Sequence, residues 1–540
     1  MVAAAAGAGT QPGAAASSPT WQAVVQKRVL NLPVKNGAAK TRLAVSLEGR
    51  VVEQFDIELA DGRPDFWVGL DAAAWQAKTV LVTAGGQGGP AVSRGLAAIR
   101  QGDALEGADD LYREKLRPQF HFSARRGWLN DPNGLVYYKG DYHLFFQHNP
   151  FGIQWDNMTW GHAVSHDLMH WEQCPDAIKP DRLGTVFSGS AVVDWRRTSG
   201  FQSGPSGQSG TEWPIVCTYT SAGNPFTQSL AYSNDRGRSW TKYEHNPVLG
   251  CVAGGNRDPK VVWHAPSKTW IMALYLSGND YGLFASPDLK HWTQLQRVAL
   301  GQECPDFFAM PLDGNPKDLR WVLTGAGGEY LVGRFDGRRF TAEAGPLASP
   351  FGYAAQTYSD IPPEDGRRIQ VAWLRGGTYP GMPFNQQMTF PCELTLRSTP
   401  AGPRLYRMPA KEIELLRART HSWSDVPLVP GENPLAALVR DLYDIEAEIL
   451  PGAASEVGFH VFGTRVTLKA GDGRIKLRML VDRTSIEWFR DDGRESHAFC
   501  YLPAPGSQPL ELYAKGGAAR IVSLVVRQLR SAWPSPAGGQ

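Results

Sequence analysis

A weak internal repeat is the feature that most constrains the fold of this chain. Three copies of Ser-x-Asp, each followed by a tryptophan, start at Ser165, Ser233 and Ser286, and a degenerate copy spans residues 335–340. Serine and aspartate side chains close tight turns, so each copy predicts a turn that joins two strands, with an aromatic side chain packed beneath it. The copies recur at roughly 50 to 70 residues, a period typical of four-stranded propeller blades.

Hairpin patterns lie between the repeats. Residues 135–138 and 142–147 flank the turn Lys139-Gly140-Asp141, and residues 261–263 turn through 265–268 into 270–274. From about Arg117 to Arg407 there is room for five such blades. The innermost strands of a propeller line one central channel, so carboxylates that are far apart in sequence can converge at its mouth.

Three acidic motifs each set a carboxylate against a proline. Asp131 lies in Trp-Leu-Asn-Asp-Pro-Asn-Gly, Asp258 in Gly-Asn-Arg-Asp-Pro-Lys, and Glu303 in Glu-Cys-Pro-Asp-Phe-Phe. Alone, the first motif is equally well an ordinary Asx or proline turn at the surface. The three motifs together are far more specific than any one of them.

The trio, in this order, resembles glycoside hydrolase family 32, the invertases, inulinases and levanases. The resemblance runs from about Arg117 to about Pro409. Asp156, which follows Trp155, departs from the family's glycine at the pocket rim. Further matching blocks are residues 145–150, 160–163, 187–190, 353–357 and 384–389.

The resemblance implies a retaining glycosidase in which Asp131 is the nucleophile, Glu303 the general acid/base and Asp258 a transition-state stabiliser, with Arg257 orienting Asp258. The two reacting carboxyl groups are then expected about 5 to 5.5 Å apart. We expect the Asp131 charge and a partly apolar wall, to which Phe307 and Phe308 would belong, to raise the pKa of Glu303. The implied substrate-binding residues are Asn130, Gln147, Trp155, Phe187, Ser188, Arg257 and Trp373.

These binding residues also have plain structural alternatives. Gln147 and Ser188 could satisfy the backbone at strand ends, and Phe187 and Trp155 could belong to the core. The functional interpretation is favoured because all of them match positions around the first sugar subsite of the family.

An all-β organisation is predicted for the whole chain. Alternating patterns indicate a β-sandwich after the propeller, at residues 442–449, 481–489 and 519–526. Similar patterns indicate a small N-terminal β domain, at residues 43–47, 55–59 and 80–82. This domain serves either sugar binding or packing. Residues 408–416 show helical periodicity. The predicted divisions are a leader (1–20), the N-terminal domain (21–108), the propeller (109–407), a linker (408–425), the sandwich (426–530) and a tail (531–540).

Composition narrows the class of partner. A formal net charge of +2 over 540 residues argues against nucleic acid, and no apolar stretch of about 20 residues predicts a membrane span. We expect no cofactor and no metal. The six dispersed cysteines form no CxxC pair and are expected to be buried free thiols. The histidines at four-residue spacing, His162, His166 and His170, lack the glutamate of the zincin pattern. A polymeric sugar substrate requires a secreted or periplasmic enzyme, although no export signal is visible.

The sequence therefore predicts a fructan β-fructosidase that releases fructose from the non-reducing ends of levan or inulin. An endo-acting levanase is the close alternative, and sucrose cleavage or transfer to another sugar are possible side activities. A fructan-binding protein without catalysis is a more distant alternative, against which the intact carboxylate trio argues. An arabinan-cleaving propeller hydrolase would not carry these motifs.

Overall fold

The computed structural model describes residues 18–85, 89–202, 212–469 and 473–533. Most of the predicted leader and tail, residues 1–17 and 534–540, lies outside these ranges. The chain divides into two compact units after Asp109. Strands dominate both units and α1 (Pro90–Ala97) is the only α-helix among the described residues, which confirms the all-β prediction. None of the helices in these ranges is long and apolar enough to cross a membrane.

The first unit contains two small sheets. Its strands are β1 (Thr20–Val24), β2 (Val29–Val34), β3 (Thr41–Leu47), β4 (Arg50–Ile57), β5 (Phe66–Asp71), β6 (Thr79–Ala84) and β7 (Arg100–Gly102). One sheet has the order β1-β6-β3-β4 and the other β5-β2-β7. Alternation along β3 buries Leu43 and Val45 and exposes Arg42, as a sheet with one buried face requires.

The second unit begins with a long series of strands. They are β8 (Gly127–Tyr138), β9 (Asp141–Asn149), β10 (Thr159–Ser165), β11 (Trp171–Gln173), β12 (Thr185–Val193), β13 (Ile215–Ala222), β14 (Thr227–Ser233), β15 (Thr241–Lys242), β16 (Arg257–His264), β17 (Thr269–Ser277), β18 (Asp280–Ser286), β19 (Thr293–Ala299), β20 (Asp306–Leu312), β21 (Asn315–Thr324), β22 (Glu329–Phe335), β23 (Phe340–Ala348), β24 (Tyr353–Thr357), β25 (Arg368–Leu374), β26 (Phe384–Asn385), β27 (Gln387–Met388), β28 (Cys392–Arg397) and β29 (Arg404–Pro409).

These strands form antiparallel groups of four in chain order. The groups are β8–β11, β12–β15, β16–β19 and β20–β23, and the last of these joins β24, β25, β28 and β29 through a parallel bridge between Leu312 and Leu396. Both predicted hairpins are confirmed, as β8–β9 and β16–β17. The four repeat copies lie between the third and fourth strands of successive groups, so the repeat marks equivalent turns.

The repeat residues close these turns by hydrogen bonds. In the first copy, Asp167 Oδ1 accepts the backbone N–H groups of Met169 at 3.0 Å and His170 at 2.8 Å. The indole of Trp171 donates to the carbonyl of Leu168 at 3.0 Å. The tryptophan therefore stabilises the turn by a hydrogen bond as well as by packing beneath it.

The first strands of the groups contact one another in sequence. β8 contacts β12, β12 contacts β16, β16 contacts β20, β20 contacts β24, and β24 contacts β8. In addition, β26 pairs in parallel with the start of β8, with Phe384 opposite Gly127 and Asn385 opposite Trp128. Residues at the starts of strands that are remote in sequence are thereby brought together.

Two further sheets complete the second unit. Their strands are β30 (Arg417–Leu428), β31 (Tyr443–Leu450), β32 (Glu456–Val461), β33 (Thr464–Lys469), β34 (Ile475–Asp482), β35 (Ser485–Arg490), β36 (Glu495–Cys500), β37 (Leu510–Lys515) and β38 (Ala519–Leu529). The six-stranded sheet β30-β38-β31-β34-β35-β36 and the three-stranded sheet β33-β32-β37 share one apolar core, in which Ile445 and Leu524 meet Phe459 and Leu512. This packing is that of a sandwich.

Two local interpretations require correction. The predicted helical connector is divided: residues 408–409 end β29, and Lys411–Leu416 form a 3₁₀ helix. β30 occupies the second half of the predicted linker. Residues 481–489 are the end of β34 and the whole of β35 up to Phe489, joined by a turn at Arg483 and Thr484, with Asp482 opposite Ser485.

Asp482 holds the segment that leads into β8. Its carboxylate accepts the backbone N–H groups of Gln119, Phe120 and His121, and the His121 ring at 2.8 Å. The second ring nitrogen of His121 lies 3.3 Å from Glu487. Burial alone lowers the pKa of His121, but the carboxylates of Glu487 and Asp482 outweigh it and raise the pKa to about 9.

Candidate active site

One cavity of about 340 Å³ brings together all ten residues that the sequence analysis assigned to a site. It lies where β8, β12 and β16 begin, with side chains added from the loop before β20 and from β24 and β25. The ten residues are Asn130, Asp131, Gln147, Trp155, Phe187, Ser188, Arg257, Asp258, Glu303 and Trp373.

Irregular backbone lets adjacent residues share this cavity. In a regular strand neighbouring side chains point to opposite faces. The register of β8 shifts after Leu129, that of β12 between Phe187 and Gly189, and that of β16 after Arg257. Bulges of this kind re-aim side chains next to active sites, and here each one presents two consecutive residues to the cavity.

Three of the acidic-motif residues adopt left-handed backbone. Asp258, Glu303 and Cys304 have φ values of 63°, 53° and 36°. Such conformations are costly for residues other than glycine and persist only where the surroundings enforce them, which occurs most often at functional sites.

Asp131 is half-buried and accepts hydrogen bonds from neutral donors. Its Oδ2 accepts the hydroxyl of Ser188 at 2.6 Å and the thiol of Cys304 at 3.4 Å. Burial raises the pKa of Asp131, and the hydrogen bonds from Ser188, Asn130 and Cys304 oppose that rise. The Asp131 carboxyl group is therefore fixed in position without an adjacent cation.

Asp258 lies deeper, with only 6% of its surface exposed. Its Oδ2 accepts the backbone N–H of Cys304 at 3.0 Å, and its own N–H donates to Thr220 Oγ1 at 2.9 Å. Burial raises the pKa of Asp258 to about 7, although the Arg257 guanidinium favours the charged form. Of the three carboxyl groups in the site, that of Asp258 is therefore buried more deeply than those of Asp131 and Glu303.

Glu303 has charged and strongly polar partners, and the expectation that its pKa is raised is wrong for this structure. Burial raises the pKa, but the hydroxyl of Tyr353 donates to Oε2 at 2.5 Å and Arg257 donates to Oε1 at 2.6 Å. These donors outweigh burial and hold the pKa of Glu303 below its ordinary value.

The expected apolar wall of Phe307 and Phe308 is also wrong. Both side chains are buried on strand β20 behind the cavity, where Phe307 packs against Trp321 and Phe308 belongs to a separate core cluster. Neither lines the cavity that holds Glu303. Neighbouring side chains of a strand point to opposite faces, so Phe307 and Phe308 enter two different cores.

Arg257 joins two of the carboxyl groups. Its Nη2 donates to Glu303, its Nε lies 3.7 Å from Asp258 Oδ2, and its guanidinium lies over the ring of Tyr275 at 4.5 Å. The sequence analysis assigned it to orienting Asp258, whereas its shorter contact is with Glu303.

The remaining predicted residues form the wall and rim. The Gln147 side-chain amide is buried and, among the described atoms, its nitrogen has no hydrogen-bond partner, so this donor is free for a ligand. Trp155 is 53% exposed and meets Phe187 edge to face at 5.9 Å. Trp373 donates its indole N–H to Gln386 at 3.0 Å. Asp156, the departure from the family pattern, is not among the lining residues, although Trp155 is.

Sequence reasoning assigned no role to three lining residues, Cys304, Tyr353 and Arg375. Cys304 follows Glu303 directly, and Tyr353 opens one of the matching blocks, so both lay within recognised motifs. Arg375 lies in no recognised motif. Its guanidinium lies 4.5 Å from the centre of the Tyr353 ring, a contact that exists only in the folded chain.

The cysteine prediction holds only in part. All six cysteines lie in the described ranges and are free thiols, but only Cys217 and Cys392 are buried and Cys251 is exposed. The histidines at four-residue spacing lie on strand β10 and the turn after it, not on a helix. His162 meets His143 at 3.0 Å, and His170 pairs with Asp167 at 2.8 Å.

Carboxyl groups in contrasting environments, held together in one cavity, are the arrangement that glycoside hydrolases use. Comparison with known protein families gives the assignment. Residues 121–409 match the model of the glycosyl hydrolases family 32 N-terminal domain, and residues 464–528 match that of the family's C-terminal region. The chain belongs to glycoside hydrolase family 32.

Similar proteins fall in the same family. A levanase of Bacillus subtilis is 39% identical, with 78% of this chain and 72% of the levanase covered. An extracellular exo-inulinase of Aspergillus ficuum is 29% identical, covering 78% and 96% of the two chains. The crystal structure of an exo-inulinase from Aspergillus awamori has a TM-score of 0.68 at 26% identity and covers 78% of this chain and all of that one.

Proposed function

We propose that this chain is a retaining glycosidase that releases terminal β-D-fructofuranosyl units from fructans. The observation that carries the proposal is the pairing, in one cavity, of Asp131 held by neutral donors with Glu303 held by Arg257 and Tyr353. Family membership and the relatives named levanase and exo-inulinase support the substrate class.

In the first step, Asp131 attacks C2 of the terminal fructosyl unit. The bond from C2 to the leaving oxygen breaks, a bond from C2 to the Asp131 carboxylate forms, and Glu303 gives its proton to the leaving oxygen. The substrate oxygen approaches Glu303 as a hydrogen-bond acceptor, which favours the protonated form and opposes the effect of Arg257 and Tyr353. Retention predicts a carboxyl separation of about 5 to 5.5 Å.

In the second step, Glu303 takes a proton from water, the water oxygen bonds to C2, and the bond to Asp131 breaks. Asp258 transfers no proton in this scheme. It accepts hydrogen bonds from sugar hydroxyl groups, and these bonds strengthen as positive charge develops on the sugar ring. Its burial makes each such bond stronger than it would be in water.

The size of the cavity favours recognition of a chain end. Its volume of about 340 Å³ lies near the lower limit of small-ligand sites, which run from about 300 to 1,000 Å³. Trp155 at the exposed rim and Gln147 at the wall provide a stacking face and a free donor for a single terminal unit.

The scaffold of this function is, on our proposal, a five-bladed β-propeller. The circular series of contacts between β8, β12, β16, β20 and β24 supports it, as do the equivalent repeat turns. We further propose residues 109–407 as the catalytic domain, followed by a C-terminal sandwich and preceded by a small β domain.

Since a fructan polymer is extracellular, we propose that the enzyme is secreted or periplasmic.

The decisive experiment compares Glu303→Gln with the wild-type enzyme on levan, inulin and sucrose. Loss of fructose release is expected, whereas Glu244→Gln, at an exposed site, is expected to retain full activity. Unchanged fructose release by Glu303→Gln would overturn the assignment. Chromatography of the early wild-type products separates the modes of action: fructose alone indicates attack at chain ends, and a ladder of oligosaccharides indicates endo cleavage.

A further inference from the structure

A second and larger cavity lies away from the proposed catalytic residues. Its volume is about 910 Å³, and it shares no lining residue with the first cavity. It is lined at the far ends of the same strands, by Val192 at the end of β12 and by Trp263 and His264 at the end of β16. Asp258 and Trp263 are separated by five positions on β16, or about 16 Å along an extended strand.

The wall of this cavity is rich in aromatic side chains. Trp263 and Trp270 meet edge to face at 5.0 Å, and Trp321 meets Phe335 in the same way at 5.3 Å. Leu319, which is 48% exposed, lies at the edge. Flat apolar faces beside polar groups are the surfaces on which sugar rings stack, since a sugar ring presents C–H groups on its faces and hydroxyl groups at its edge.

The charges that line the cavity balance. The cations are Lys260, Arg334, Arg339 and Arg368, and the anions are Asp336, Glu343 and Asp360. Lys260 is paired with the buried Asp306 at 3.2 Å, which leaves three cations against three anions. A balanced lining neither concentrates anions nor attracts cations, so it suits a neutral, polar ligand.

The lining residues also carry unsatisfied polar atoms. Among the described residues, Trp263 Nε1, Arg368 Nε, Thr357 Oγ1 and Ser359 Oγ are buried and have no hydrogen-bond partner. Trp263 and Arg368 supply N–H donors to the lining, and Thr357 and Ser359 supply hydroxyl groups that can donate or accept. These are the groups that pair with the hydroxyl groups of a sugar.

We propose that this second cavity is a non-catalytic saccharide site that takes one or two neutral sugar units of the substrate polymer. That the sugar is a fructosyl unit rests on the proposed function, whereas its being a neutral sugar rests on the lining alone. Occupation of the site holds the enzyme on the polymer between cleavage events. Its effect therefore appears with polymeric substrates and not with sucrose.

The test fills the cavity and leaves the catalytic residues intact. Ala265 lines the cavity and is exposed, so Ala265→Trp blocks it without emptying a core. The matched control is Ala401→Trp, at an exposed turn. Calorimetric titration with 1-kestose, on a Glu303→Gln background that prevents hydrolysis, is expected to give two sites per chain, and one site after Ala265→Trp.

The kinetic arm uses the active enzyme. Ala265→Trp is expected to raise KM for inulin or levan about fivefold, because the blocked cavity no longer holds the polymer on the enzyme, and to leave kcat/KM for sucrose unchanged. A single 1-kestose site in the unblocked protein, or equal KM for polymer in Ala265→Trp and Ala401→Trp, would overturn the proposal while fructose release stands. Absence of hydrolysis on every fructoside would instead refute the proposed function, and the loss of one 1-kestose site on going from the unblocked protein to Ala265→Trp would still decide the second site.

Discussion

Replacing Tyr353 by phenylalanine isolates the contact that most distinguishes Glu303 from an ordinary glutamate. The substitution removes one hydroxyl group, which donates to Glu303 Oε2 at 2.5 Å, the length of a charge-assisted hydrogen bond. This bond stabilises the carboxylate and not the carboxylic acid. Its loss therefore raises the pKa of Glu303.

The magnitude follows from the strength of such bonds. A hydrogen bond to a charged group contributes about 1.5 to 3 kcal/mol. The side chain of Glu303 is 34% exposed, so solvent screens part of this, and we take about 1.4 kcal/mol, which corresponds to about one pKa unit. Arg257 still holds the other carboxylate oxygen, which limits the rise.

The assay is a pH titration followed by NMR of the side-chain carboxyl carbon in protein labelled at glutamate, with the Glu303 signal assigned by its absence in Glu303→Gln. The control is Tyr281→Phe, which removes a hydroxyl that donates to the backbone carbonyl of Glu303 at 3.0 Å and not to its carboxylate. An unchanged Glu303 pKa in Tyr353→Phe, or an equal shift in Tyr281→Phe, would refute the reasoning.

Three further predictions concern the other buried groups. Ser188→Ala removes a donor to the charged form of Asp131, so the pKa of Asp131 rises further, by about one unit, in the same titration with labelled aspartate. Asp258→Asn is expected to lower kcat by about 10²- to 10³-fold with little change in thermal unfolding; an unchanged kcat would exclude its role. Glu487 and Asp482 raise the pKa of His121 to about 9, so the stability that the two carboxylates give through the protonated ring is complete below about pH 6.5 and is lost as pH rises towards 9. The free energy of unfolding measured in urea should fall by up to about 3 kcal/mol between pH 6.5 and pH 9, and His121→Gln should abolish this difference.

The features that the sequence predicts best are those that depend on contacts between residues close together in the chain. The Ser-x-Asp turns at Ser165, Ser233 and Ser286 each occupy the same position between strands, because the hydrogen bonds that close them join residues only a few positions apart. The candidate site residues are predicted from their motifs, and the structure places all ten of them around one cavity.

What sequence reasoning missed depends on contacts between distant residues. The direction of the Glu303 pKa shift is set by Arg257 and Tyr353, each about 50 positions away, and no local pattern records those bonds. The strand β26 is only two residues long, too short for periodicity, and its pairing with β8 is visible only in the fold.

That pairing has a consequence for biosynthesis. The strand that carries Asp131 is bordered on one side by β9, which follows it immediately, but on the other by Phe384 and Asn385. At a translation rate of about 5 to 20 residues per second, the ribosome needs about 13 to 50 s to travel from Gly127 to Phe384. During that interval the start of β8 in the nascent chain is an unpaired strand edge that can pair with other chains. Synthesis of Phe384 and Asn385 therefore determines when this edge can be closed against aggregation.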